Sequence, residues 1–158
     1  MVAIIDRTKE YPTDPYHFRE TPVMPALVCA ILKVVPCQPG LKDDFNNFPK
    51  DTNGRKFRTD WYEKKVGECG IKVKRQWLIY SPKANSMFCL PCWLFLKSPG
   101  IWGAPNGGCA TFNNGLYRIE MHENTKNHKV AEKDLLLTKY RLFNDQPIIK
   151  SFDNMVVK

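Results

Sequence analysis

Two cysteines with two residues between them, Cys89 and Cys92, are followed by two histidines with five residues between them, His122 and His128. No other feature restricts the fold of this chain so strongly, because all four side chains meet only if the intervening chain folds back. A structural zinc ion takes four ligands in a tetrahedron, and two thiolates with two imidazoles are a standard set. In Cys-x-x-Cys the backbone turns so that both sulfurs face one point, and zinc lowers the thiol pKa so that both bind as thiolates. Two thiolates and two neutral imidazoles leave a site of about zero net charge, which suits a small interior. Phe88, Trp93 and Phe95 flank the turn and are expected to shield the sulfurs.

The spacing differs from that of short DNA-reading fingers, which place roughly a dozen residues between the second cysteine and the first histidine. Here a long insert separates Cys92 from His122 and contains Pro99-Gly100 and the glycines of Gly103 to Gly108. Cys109 follows that insert and competes for a ligand place. The Gly-rich segment lacks the Gly-Lys-Ser/Thr ending of a phosphate loop. The Cys-x-Pro-Cys form also resembles a thioredoxin-like redox motif, which expects a helix opening at the motif within a βαβ pattern. Trp93 to Leu96 runs into Ser98-Pro99-Gly100, too short for that helix, and a redox reading leaves both histidines unexplained.

Charge and cysteine usage narrow the class further. The chain has 158 residues, enough for one domain with a modest core, and a formal net charge of +8. That charge favours a polyanionic partner, nucleic acid before membrane. Six cysteines in a chain of this size are compatible with a secreted disulfide set. However, the first twenty residues carry Asp6, Arg7, Lys9, Glu10 and Asp14 and no apolar core of a signal peptide. A reducing compartment is expected, where paired cysteines usually mean metal. The longest apolar run, Val23 to Val35, contains Pro25 and Lys33 and is too short to span a bilayer.

Residues 1–20 read as a flexible polar arm, with Asp14-Pro15-Tyr16 opening a possible packed segment. His17 reads as a surface or packing residue. Residues 26–35 read as a strand or short helix against the core, followed by a turn at Pro36 to Gly40. Cys29 and Cys37 have no histidine near them and read as free thiols. Arg55 to Tyr62 mixes cations with aromatics, a composition suited to phosphate and base contacts but equally to buried rings with solvated charges. Thr59 or Asp60 is placed to cap a short helix with Trp61 facing the core. Ile71 to Tyr80 alternates and reads as one strand with Lys72, Lys74 and Gln76 on one face. Met87 to Leu96 is expected to form the hairpin that holds Cys89 and Cys92. Leu116, Ile119 and Met121 recur at helical spacing and bring His122 to a helix end. Asn124 or Thr125 is placed to cap a second helix, with His128 in its first turn and the helix continuing to about Leu142.

With these residues in view, the chain resembles the TTF-type zinc finger of hAT-superfamily transposases and transposase-derived proteins, including MYM-type zinc finger proteins. The resemblance rests on Asp14-Pro15, Pro36-Cys37-Gln38, Phe48-Pro49, Arg55-Lys56-Phe57 with Trp61-Tyr62, and Arg75-Gln76-Trp77-Leu78 with Tyr80-Ser81. It continues through Phe88-Cys89-Leu90-Pro91-Cys92 with Leu94-Phe95, and His122-Glu123 with Thr125 and His128. It covers roughly residues 14–130. Thr125 stands where the family usually has Ser, and Val35 where it usually has Gly before the Pro-Gln turn. The resemblance implies zinc held by Cys89, Cys92, His122 and His128, and binding to DNA. The family's catalytic domain and dimerisation region have no counterpart here, so the chain is expected to be a fragment or a short domesticated remnant that does not cut or join DNA.

The expected fold is α+β: a small zinc-stabilised domain over residues 14–142, with an antiparallel hairpin carrying the thiols packed on helices carrying the histidines. Residues 1–13 are expected as an arm, and 143–158 as a tail without firm pattern. The zinc is expected to be single and structural, because all four places are filled and none is left for water. The expected function is DNA binding in the nucleus, without enzymatic activity, membrane attachment or a small-molecule substrate. The candidate DNA contacts are Arg55, Arg58, Lys72, Lys74, Arg75, Lys126 and Lys129. Arg75 also has a possible supporting role in the fold, and Glu123 reads as an orienting or capping group. A protein-interaction module is the alternative; a thiol redox protein is a third reading.

Overall fold

Two short strands at the centre of the chain are apolar on both faces because both faces are covered. β3 (Leu78–Ser81) and β4 (Ser86–Cys89) pair antiparallel, with Leu78 opposite Cys89, Ile79 opposite Phe88 and Tyr80 opposite Met87. All eight residues are buried. Partners opposite each other share a face, so Ile79 and Phe88 join one apolar cluster, while Leu78, Tyr80, Met87 and Cys89 join another. In this computed structural model, which describes residues 4–144, the paired strands form a floor between two cores.

The first core is built by helices. α1 (Pro25–Leu32) begins on Pro25, a residue favoured in a first turn because its missing N–H has no partner there anyway. It buries Leu27, Val28, Ile31 and Leu32. α2 (Leu90–Phe95) adds Leu90, Trp93 and Leu94, and α4 (Lys126–Asn144) adds Leu135. Ile5 also belongs to this core, and Tyr11 donates a hydrogen bond to Asp43 at 2.9 Å. The arm expected over residues 1–13 therefore has anchored positions, since a side chain buried to the extent of Ile5 holds its backbone down. Asp14 is buried as well, and its carboxylate accepts from the Tyr16 N–H to cap a turn of 3-10 helix at Pro15–Phe18.

The second core is aromatic. Phe57, Trp61, Tyr62, Tyr80 and Phe112 pack edge-on and stacked around one another. Trp61 and Tyr62 sit on a 3-10 turn, Thr59–Tyr62, with Trp61 facing the core as expected, but the cap position is Arg58 and neither Thr59 nor Asp60 caps the turn. Beyond it, β1 (Glu63–Val66) and β2 (Ile71–Lys74) form a second antiparallel pair, exposed along nearly its whole length.

The single strand expected over Ile71 to Tyr80 is in fact two strands in different sheets. The chain breaks at Arg75-Gln76-Trp77, where the Leu78 N–H donates to Arg75 O at 3.2 Å. The physical reason is Arg75 itself, whose guanidinium is turned inward and bonded. The expected α+β architecture holds, with helices carrying the histidines. The hairpin, however, carries only one of the thiols: Cys89 ends β4 and Cys92 lies in α2. Residues 145–158, most of the expected tail, lie outside the described residues. Among the described residues no helix is long and apolar enough to cross a membrane.

Candidate metal centre

Strand β4 delivers Cys89 and hands the chain directly to α2, for which Cys89 is the cap. Pro91 in the first turn of α2 loses no helical hydrogen bond. Cys92 therefore faces back toward Cys89 across one helical turn. A helix does open at the motif, which the length of Trp93 to Leu96 alone did not anticipate. The sheet beside it is antiparallel and two-stranded, so the βαβ setting of a redox motif is not present there.

The histidines arrive on two helices joined by a tight corner. His122 lies in the last turn of α3 (Gly115–Glu123), and His128 in the first turn of α4. Thr125 makes the corner: its hydroxyl donates to His122 O at 2.7 Å and accepts from the His128 N–H at 3.2 Å. That is the capping role expected of it. One small side chain thus fixes both ligand-bearing backbones.

The four donor atoms lie within 4.8 Å of one another. Cys89 Sγ is 3.3 Å from His128 Nδ1; Cys92 Sγ is 3.5 Å from His122 Nε2 and 3.8 Å from His128 Nδ1. Tetrahedral zinc with ordinary bond lengths sets sulfur and nitrogen about 3.5 Å apart. The donor set therefore fits zinc in both chemistry and spacing. Bound zinc would supply a charge that keeps both thiols ionised, and its four bonds would tie β4, α2, α3 and α4 together. Without metal the thiols titrate as a pair. Burial pushes Cys89 up, while the hydrogen bond from Cys89, helped by both imidazoles, pulls Cys92 down.

The walls of the site differ from expectation. Phe88 and Trp93 face the first core, on the far side of the sheet; of the three expected shields only Phe95 also touches the second. Trp77 and Trp102 do the shielding. Trp77 packs edge-on to His128 with centroids 4.6 Å apart, and Trp102 stacks on His122 at 4.4 Å. Trp102 comes from the Gly-rich insert, so that insert serves as a lid support for the metal site. On its outer side, His128 Nε2 is 3.8 Å from a carboxylate oxygen of Glu132, one helical turn on. Nδ1 is the ring nitrogen turned to the thiols, and Nε2 faces the carboxylate side. Trp102 and Glu132 were missed in the sequence. The second was legible as His-x-x-x-Glu at helical spacing; the first had no local signal. Cys109 is not one of the four. Its backbone pairs with Met87 and its thiol donates to Thr111 O at 3.6 Å.

The candidate DNA contacts do not converge. Arg55 and Arg58 line one cleft with Tyr117, Lys72 lines a second, and Lys74 a third. Arg55, Arg58, Lys72, Lys74, Lys126 and Lys129 are exposed, and Arg58 pairs with Asp60 at 3.1 Å. Arg75 is a correction: it is 3% exposed and its guanidinium is turned into the protein. It grips Glu123 twice and donates to Trp61 O and Glu63 O, so four of its five N–H groups are engaged inside the protein, out of reach of a phosphate. Glu123 accordingly orients His122 through the end of α3 rather than by touching the ring.

With this geometry in place, the comparisons with known proteins carry weight. The chain is homologous to zinc finger MYM-type protein 5. It is 37% identical over 82 residues to the human and Macaca fascicularis proteins, and 34% identical to the Mus musculus protein. The match covers 52% of this chain but only 12–13% of those relatives, so the chain spans a small part of their length. No family model matches the chain, and no solved structure matches it. The homology supports a zinc finger of the MYM type, and together with the Cys2His2 cluster it supports a single structural zinc ion.

Proposed function

We propose that this chain is a zinc-stabilised DNA-binding domain of a transposase-derived nuclear protein, of the TTF type. The observation that carries the reading is the combination of four convergent metal donors with a net charge of +8. Four protein ligands leave no open coordination place, so the metal organises the fold rather than acting on a substrate. The exposed cations Arg55, Lys72, Lys74, Lys126 and Lys129 are then available to phosphates. The zinc finger relatives and the ordered series of TTF-like motifs support the same reading.

A second reading has its own observation. Leu116, Tyr117 and Met121 stand exposed on α3, an apolar group suited to a protein partner. Binding of labelled duplex DNA across a salt series separates the two. The DNA reading expects log affinity to fall steeply and linearly with log salt, and to vanish on zinc removal. Absence of DNA binding by the zinc-loaded chain, or affinity indifferent to salt, contradicts it and favours the protein-binding alternative.

A further inference from the structure

On the β1–β2 ribbon Lys64 pairs with Glu123 and Lys74 stands opposite Glu63, but Lys65 and Lys72 make no ion pair among the described residues, although their cleft also holds Asp60, Glu63, Glu120 and Glu123. Seven of its eight strand residues are exposed, so neither face belongs to a core. Lys65 stands directly opposite Lys72 in the register, a like-charge pair that destabilises a two-stranded ribbon. Lys74 projects to the same face as Lys72, opposite Glu63. On the other face Lys64 sits opposite Val73, and Val66 opposite Ile71, with all three apolar residues exposed. The ribbon is nevertheless firmly mounted. At its base the Arg75 N–H donates to Tyr62 O, the buried Arg75 side chain holds Glu63 O, and Lys64 reaches Glu123 at 3.8 Å. At its tip Gly67 and Gly70 both take positive φ, so the chain reverses within four residues.

We infer that this ribbon is the reading element of the domain, inserted into the major groove of duplex DNA with Lys65 and Lys72 toward phosphates. The inference rests on the DNA-binding reading above and assigns it a place. Two paired strands are about 5 Å apart, and the major groove, about 12 Å wide, admits such a ribbon. Four residues of strand reach about 13 Å, enough to carry the tip to the groove floor. A polyanion relieves the Lys65–Lys72 repulsion that the free protein tolerates. At the tip Glu68 is exposed, and a carboxylate there accepts from the amino group of cytosine, so the acidic residue has a place in the groove. A-form RNA has a major groove too deep and narrow for the ribbon, so the partner is DNA.

The test uses the zinc-loaded chain, a DNA duplex selected from a randomised pool, and the RNA duplex of the same sequence. K65A/K72A removes two exposed side chains, and zinc content and melting temperature confirm that the variant folds. It is expected to bind DNA at least about tenfold more weakly, with the salt slope reduced by about 2. Methylation of guanine N7 in the major groove is expected to block binding, and methylation of adenine N3 in the minor groove to leave it intact. Wild-type binding that K65A/K72A leaves unchanged, interference confined to adenine N3, or equal affinity for RNA overturns the ribbon assignment while the DNA-binding reading stands. Failure of the unaltered chain to bind any duplex removes that reading and the ribbon's role with it.

Discussion

Arg75 and Glu123 form a two-bond ion pair, Nε to Oε2 at 3.0 Å and Nη2 to Oε1 at 2.9 Å, across 48 positions of sequence. The arginine marks the break between the two strand pairs. The glutamate follows the metal ligand His122. The pair therefore fixes the end of α3 against the base of the ribbon. Removing one partner leaves the other charge buried, at a cost of about 3 kcal/mol. Glu123→Ala is expected to lower stability by that amount in denaturant unfolding. Arg75→Lys is expected to restore little, because an ammonium cannot reproduce four directed bonds from a planar fork.

The same pair sets a pH dependence. Burial pushes the Glu123 carboxyl up, but the hydrogen bonds and charge of Arg75, with Lys64, outweigh it and hold the pKa below its ordinary value. A lowered folded value stabilises the fold above the unfolded carboxylate range, about pH 4.3, and that stability is lost as pH falls through the folded value. The stability gap between wild type and Glu123→Gln is expected to be full near neutral pH and to close in acid. Urea unfolding at several pH values, comparing the two chains, measures it.

Trp102 covers His122 from a short 3-10 turn, Gly100–Trp102, at the half-buried edge of the second core. Trp102→Ala is expected to leave zinc content unchanged but to speed zinc loss to a chelator several-fold. Trp77→Ala, by contrast, empties a buried place against both imidazoles and is expected to cost about 3–5 kcal/mol. Chelator kinetics with a zinc-sensitive dye distinguish the two effects.

Gly107 and Gly108 both have positive φ, but only the second is crowded. A Cβ at Gly108 would lie 2.7 Å from Phe88 Cζ and 2.8 Å from Met87 O, whereas one at Gly107 meets nothing. Gly107→Ala is expected to cost about 1 kcal/mol from backbone strain alone. Gly108→Ala adds a clash with the central strand and is expected to cost at least about 2 kcal/mol more. Thermal melting of the two variants in zinc reads the difference directly.

The ligand set was legible because Cys-x-x-Cys and the two histidines are local patterns whose chemistry is specific. Thr125 was legible for the same reason, as a cap beside a helical run. The supporting shell was not, because it is assembled from distant chain. Trp102 looks like loop, and Phe88 and Trp93 look like shields until the two-sided burial of β3–β4 sends them to the other core. Arg75 looked like a phosphate contact in an alternating strand; its inward turn follows from Glu123, which nothing near it in sequence reveals. The β1–β2 hairpin had a signal, Val66-Gly67-Glu68-Cys69-Gly70-Ile71, in which two glycines bracket a reversal between β-branched residues. The lysines on either side of it drew attention to charge rather than to pairing.

The measurement closest to the central claim is the metal content of the purified chain, with Cys92→Ser and Cys109→Ser beside it. The account expects about one zinc per chain in the wild type and in Cys109→Ser, whose thiol lies outside the four-donor cluster. It expects zinc loss together with unfolding in Cys92→Ser, since binding energy of a structural site is folding energy. A wild-type chain that folds without zinc, or a Cys92→Ser chain that keeps both its metal and its fold, would contradict it.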